Sequence, residues 1–302
     1  MEAPAAMAMP WLPEGRTMVL PGRGEVFYRH HRHPDPAAPT LLLLHGWTAS
    51  ADLQFFTAYE ALAEHFSFVA IDHRGHGRGL RSPVRFELAD AADDAALLLD
   101  GLGISDVITV GYSMGGPISL LFARRHRAKV RGMVVQATAL EWRATRAERW
   151  QWKTVHVLGF LLRSRVYPRW IRYGIRRMLG EGHPMQRYVP WVASELHRND
   201  ASAIVHAGQS LSRYDARSWA ASIGAPAAAL VTTRDRLVRP RKQRALADAL
   251  DAHVVDVADD HLCSWTSPDE FSKVTLELAI HVAARAHSSG AGSDQSAGST
   301  TG

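Results

Sequence analysis

A single cysteine, Cys263, in 302 residues leaves no partner for a disulfide and no cysteine cluster for a zinc site. Scarce cysteine suits a reducing compartment, and a cytoplasmic protein is expected. No apolar run approaches the roughly 18 residues of a membrane-spanning helix. The segment Met1 to Pro13 lacks a basic start, and Pro4 and Pro10 interrupt it, so it does not read as a secretory signal. A soluble chain is therefore expected, with no internal repeat. Charge is also unevenly supplied. The net charge is +5, yet Glu141 to Glu181 holds ten Lys and Arg against three Glu, so the rest of the chain is slightly acidic. No nucleic-acid-binding motif accompanies these cations, and no nucleic-acid partner is expected.

What is present is an alternation. Thr17 to Leu20 and Glu25 to His30 read as short strands separated by turn residues. Thr40 to Leu44, Phe66 to Ile71, Val107 to Val110 and Val130 to Gln136 are compact apolar runs, the pattern of buried parallel strands. Helix-compatible stretches fall between them: Leu53 to His65, Asp90 to Leu102 and Ser113 to His126. The rhythm stops from about Ala139 to Ser218, then resumes with strands at Ala227 to Thr232 and His253 to Val257 and helices at Pro240 to Leu250 and Pro268 to Ala284. The fold class expected is α/β, a mostly parallel central sheet flanked by helices, with a helical insertion. The corresponding division is a first core part (1–138), a helical cap (139–218), a second core part (219–286) and a Ser/Gly-rich tail (287–302) expected to be disordered.

Gly111-Tyr112-Ser113-Met114-Gly115 matches G-x-S-x-G between a strand and a helix. A turn that sharp needs small flanking residues, and it lifts the serine hydroxyl off the sheet. Without the strand and helix, the same pattern would be a Gly-rich turn with an incidental serine. A serine hydroxyl needs a base to become nucleophilic, and the base needs an orienting carboxylate. Asp235 follows the strand Ala227 to Thr232, and His261 follows His253 to Val257, in the chain order Ser, Asp, His. Asp256, Asp259 and Asp260 compete with Asp235 but lie close in sequence to His261. His30, His31 and His33 read as a solvated turn rather than a metal site. His45-Gly46-Trp47, at the end of the strand Thr40 to Leu44, offers the Trp47 N–H as an oxyanion donor beside that of Met114.

Taken together, His45-Gly46-Trp47, Asp72-His73-Arg74-Gly75-His76-Gly77, the Ser113 turn with Gly116, Asp235 and His261 resemble the α/β-hydrolase superfamily. Within it the chain is similar to bacterial esterases, cofactor-free perhydrolases and carbon–carbon bond hydrolases, over roughly Thr17 to Ala284. The resemblance implies Ser113 as nucleophile, His261 as base and Asp235 as its orienting acid, and it implies no metal and no organic cofactor. The segment Asp72 to Gly77 resembles a structural loop of the family. Epoxide hydrolases and haloalkane dehalogenases carry Asp where this chain has Ser113, which argues against those activities. Asp260 stands where the family often has Gly before the histidine.

An ester hydrolase is the function expected, with a small-molecule acyl or ester substrate. Carbon–carbon hydrolysis, perhydrolysis and acyl transfer would use the same residues, and a ligand-binding member without turnover is the alternative from another class. Six of the nine tryptophans lie between Trp142 and Trp219, suited either to a substrate pocket or to packing of the cap. The stretch Trp150 to Leu179 mixes apolar residues with arginines, which reads as a solvated cationic face or a peripheral contact with anionic lipid.

Overall fold

The computed structural model of the chain describes residues 8–153 and 167–296. Strands β1 (Gly15–Leu20), β2 (Gly24–His31), β3 (Thr40–Leu44), β4 (Ser67–Ile71), β5 (Val107–Tyr112), β6 (Val130–Gln136), β7 (Ala227–Thr232) and β8 (His253–Val257) form one eight-stranded sheet. Their order is β1-β2-β4-β3-β5-β6-β7-β8. Pairings from β4 to β8 are parallel, and β2 joins antiparallel to both β1 and β4. From β3 the chain builds outward to β4, then returns to place β5 on the other flank. The order therefore reverses between β3 and β5, and a crevice opens at their carboxyl ends.

The apolar strands supply both faces of the sheet. In β3, Leu42 and Leu44 face a layer containing Ala92 and Leu99 of α3 (Leu88–Leu102) and Phe122 of α4 (Gly115–Arg125). Leu41 and Leu43 face the opposite layer, with Tyr59 of a short helix (Tyr59–Ala63) and Phe271 and Leu278 of the last helix (Pro268–Ser296). All four leucines are fully buried, each worth about 1.5–3 kcal/mol relative to exposure. This two-sided burial explains why these strands show no polar alternation.

We name the remaining helices in chain order: α1 (Ala51–Phe55), α2 (Tyr59–Ala63), α5 (Arg146–Lys153), α6 (Tyr167–Leu179), α7 (Val189–His197), α8 (Ala201–Arg213), α9 (Pro240–Ala249), α10 (Cys263–Thr266) and α11 (Pro268–Ser296). The single helix expected over 53–65 is two, because the Ala58 N–H bonds back to Phe55 O (2.8 Å) and tightens the chain between them. His30 and His31 close β2 instead of forming a solvated turn, and His30 is buried. The tail also differs from expectation, since α11 continues through 287–296. Propagating an existing helix adds a hydrogen bond per residue with no new nucleation cost. Residues 297–302 lie outside the described residues.

Helices α5 to α8 occupy the interval between β6 and β7, the place of the proposed cap. A bridge between Glu141 and Asp215, with the Ala216 N–H on Leu140 O (2.8 Å), ties the two ends of this insertion together. Of the basic and apolar stretch, Val155, Val157, Leu158, Phe160, Leu161, Leu162, Arg163 and Arg165 lie outside the described residues, as do the side chains of Arg169 and Trp170. No described helix is long and apolar enough to cross a membrane.

Candidate active site

Ser113 sits between β5 and α4 with φ of 52°, a left-handed conformation that non-glycine residues rarely adopt. Strain of this kind costs about 1–3 kcal/mol and persists only where the surroundings fix it. Here the Ser113 N–H donates to Gln136 O (2.8 Å) and the Gly116 N–H to Ser113 O (2.9 Å). The neighbouring glycines are required by space. A Cβ on Gly115 would stand 1.9 Å from Leu44 O, and one on Gly111 would stand 2.4 Å from Gly115 O. The turn closes against β3 only because those atoms are missing.

Around this turn the structure brings together the three side chains expected from sequence. His261 Nε2 lies 2.9 Å from Ser113 Oγ, and His261 Nδ1 lies 2.7 Å from Asp235 Oδ2. Asp235 is buried and its carboxylate accepts from every side. Oδ1 takes the backbone N–H groups of Leu237 (2.8 Å) and Val238 (2.9 Å), while Oδ2 also takes Thr232 Oγ1 (2.9 Å) and Gln243 Nε2 (3.0 Å). Such a carboxylate is held in one orientation toward the ring. The competing acids are engaged elsewhere. Asp256 pairs with Arg244, Asp259 accepts from Thr266 and Ser267, and Asp260 accepts from the Leu262 N–H. Asp260, in the position often held by glycine, thus braces the loop that carries His261. Tyr112 adds a second brace, its hydroxyl donating to His261 O (2.9 Å).

Trp47 and Met114 place their backbones on either side of Ser113, one after β3 and one at the start of α4. Among the described residues neither N–H donates to a protein acceptor. The peptide that carries the Trp47 N–H is fixed from its other end, because His45 Nδ1 donates to Gly46 O (2.8 Å). His45 Nε2 in turn accepts the His73 N–H (2.9 Å), which requires a neutral ring. Burial and the neighbouring His73 and His76 hold His45 well below the usual histidine range. Burial likewise pulls His73 down to about 3 and His76 to about 4. On the same loop burial and the nearby Asp52 push the Asp72 carboxyl up to about 7.

A cavity of about 230 Å³ opens beside Ser113 and His261. The core contributes Trp47, Leu53, Gln54 and Trp265 to its wall, and the insertion contributes Ile175, Met178, Val192 and Leu196. None of the cap tryptophans with described side chains lines it. Trp191 is buried against Phe56, Trp142 and Trp152 meet edge to face, and Trp150 is exposed. Sequence reasoning missed Gln243, Thr232, Tyr112 and Gln54. Tyr112 and Gln54 matter through partners distant in the chain, and Thr232 and Gln243 through contacts with Asp235 that no local pattern marks. Among the described residues no group of three or more His, Cys, Asp or Glu is arranged to hold a metal ion.

A family model described as alpha/beta hydrolase fold matches residues 39–157. The chain is similar to the putative carbamate hydrolase RutD of Caulobacter vibrioides, with 31% identity over 40% of this chain and 45% of that protein. It is 26% identical to the protein of the same name from Agrobacterium fabrum, over 83% of this chain and 96% of the relative. The chain thus spans less than half the length of the first curated relatives it matches. Among solved structures, the enol-lactonase from Burkholderia xenovorans LB400 superimposes with a TM-score of 0.72, at 22% identity, covering 87% of this chain and 99% of that one.

Proposed function

We propose that this chain, a member of the α/β-hydrolase superfamily, is a serine hydrolase that cleaves carboxylic esters through an acyl-enzyme. The observation that carries the reading is the continuous chain of contacts from Ser113 Oγ through His261 to Asp235, at 2.9 and 2.7 Å, beside an apolar cavity. In this mechanism Ser113 Oγ attacks the ester carbonyl carbon while His261 Nε2 takes its proton. The oxygen that gains negative charge is met by the N–H groups of Trp47 and Met114, worth about 2.7–4 kcal/mol per donor in comparable sites. His261 returns the proton to the departing alkoxide, leaving the acyl group on Ser113. A water, deprotonated by the same ring, attacks that acyl carbon and releases the acid.

A second reading, carbamate hydrolysis, has one observation in its favour beyond the relatives' names. Gln54 donates to Ser264 Oγ (3.2 Å), but its carbonyl oxygen accepts no hydrogen bond among the described residues and borders the cavity near Gly46. It is placed to accept an N–H beside the scissile carbonyl. A fluorophosphonate probe should label native protein at Ser113, and Ser113→Ala should abolish both labelling and ester turnover. Unlabelled native protein, or a Ser113→Ala variant with full esterase activity, would remove the proposal. Matched esters, lactones and carbamates of increasing acyl length then decide the substrate.

A further inference from the structure

The wall of the cavity contributed by the insertion is continuous with a second set of contacts that leave the cavity and close on the oxyanion loop. Val192 and Leu196 of α7 line the cavity, and three residues after Leu196 the chain reaches Asn199. The Asn199 side chain bridges two core loops. Its Nδ2 donates to Thr48 O (2.7 Å), and its Oδ1 accepts the Gly77 N–H (2.8 Å). Thr48 directly follows Trp47 and has φ of 65°, a strained conformation for a β-branched residue that needs outside support. On the next helix, α8, Ile204 O accepts the Trp47 indole N–H (2.8 Å). The Trp47 ring also fills the notch at Gly208, where a Cβ would stand 2.6 Å from it. The Trp47 side chain and the Thr48 carbonyl are therefore anchored by the insertion, while the peptide that carries the Trp47 N–H is held by His45 of the core.

We propose that Asn199 is a positioning residue for the Trp47 oxyanion donor, acting through Thr48, so that the cap segment 199–208 sets transition-state stabilisation as well as roofing the substrate. This rests on the hydrolase reading above. Asn199 touches no reacting atom; it holds Thr48 O just after the left-handed turn, two peptides beyond the one that carries the Trp47 N–H. Loss of that hold loosens the loop beyond the His45 contact on Gly46 O, so the Trp47 peptide tilts about that point and its N–H turns from the developing oxyanion while the cavity that binds the acyl group stays in place. The cost falls on kcat and leaves KM nearly unchanged, the signature of an interaction made in the transition state.

The test compares Asn199→Ala, Asn199→Asp and wild type on a p-nitrophenyl ester, with binding of a trifluoromethyl ketone that forms a tetrahedral adduct with serine. Asn199→Asp keeps an acceptor for Gly77 but loses the donor to Thr48. Both variants are expected to lose about tenfold in kcat, less than the 10²–10³ of deleting an oxyanion donor, with KM within about twofold and ketone affinity falling in parallel. Amide hydrogen exchange over residues 46–49 should rise in both. Unchanged kcat, a loss confined to KM, or wild-type behaviour of Asn199→Asp would overturn the assignment. If wild-type protein takes no fluorophosphonate, it is the hydrolase reading that falls. The exchange measurement then decides whether Asn199 holds the loop.

Discussion

Replacing Asp235 with Asn exchanges one carboxylate oxygen for an NH2 group at the buried end of the Ser113–His261 pair, and the surrounding hydrogen bonds dictate how the site responds. The amide has two orientations. In one, its NH2 faces the backbone N–H groups of Leu237 and Val238, which have no other role to adopt. In the other, it faces His261 Nδ1, Thr232 Oγ1 and Gln243 Nε2. The second is favoured because a hydroxyl can turn and an imidazole can change tautomer. Gln243 has less freedom, since its Oε1 already accepts the Thr232 N–H (3.0 Å). His261 then carries its proton on Nε2 and donates toward Ser113 Oγ, so it can no longer accept the serine proton. The same substitution in another Ser-His-Asp enzyme lowers kcat by about 10⁴, which corresponds to about 5.5 kcal/mol of barrier. We expect that loss here, with a stability cost of only about 1 kcal/mol, because Gln243 Nε2 keeps Val238 O (2.7 Å) and Thr232 Oγ1 (2.8 Å) as acceptors. Turnover of p-nitrophenyl butyrate and thermal unfolding measure the two effects separately. A folded Asp235→Asn protein that keeps more than about a tenth of wild-type kcat would refute the assignment of Asp235 as the orienting acid.

Two further predictions concern stability. Neither ring nitrogen of buried His73 has a partner among the described residues, and burial and His76 bring its pKa down to about 3. A base depressed in the folded state contributes its stability above the unfolded value near 6.5 and loses it as pH falls toward 3. His73→Leu, of similar volume, should therefore gain on wild type as pH drops, by roughly 2 kcal/mol at pH 5. Asp72, pushed up to about 7, runs the opposite way: it favours the folded state as pH falls through 7. It is common to both proteins, so their difference isolates His73. Urea unfolding at pH 5 and pH 8 measures it, and an equal difference at the two values would contradict the reasoning. Lys242→Met tests the anchoring of the insertion, since Lys242 Nζ stands 3.0 Å from Glu141 and 2.7 Å from Glu148, two carboxylates that would otherwise face each other. The pair is partly exposed, so we expect about 1–3 kcal/mol, below the 3–5 of a fully buried pair, seen as a fall in Tm of roughly 5 °C. An unchanged Tm would show that Lys242 does not hold the insertion.

The sheet was legible in the chain because its signal is local. Thr40 to Leu44 is apolar throughout since both faces of β3 are buried, and β6 and β7 fall on the residues that the same argument picks out. Ser113 was legible for a related reason: a strand, a strained residue and a helix stand consecutively, and glycines mark where β3 approaches within contact distance. Chain order and strand ends narrowed the base and acid to His261 and a group of four aspartates. Asp235 is preferred there because its rivals lie close to His261 in sequence, and the fold adds that it collects Thr232, Gln243 and two backbone donors while they bind other partners. The chamber was less legible still. Its tryptophans come from the core, Trp47 after β3 and Trp265 on α10, whereas the cap tryptophans with described side chains mostly pack. Asn199 carries no sequence signal at all, since its partner Thr48 lies 151 residues away in the chain. Periodicity and turn chemistry are set by neighbours along the backbone, so sequence alone determined the strands, the turn at Ser113 and the order of the catalytic candidates. Only chain folding brings the insertion onto the Trp47–Thr48 loop, and that contact fixes how the surroundings of Ser113 are shaped.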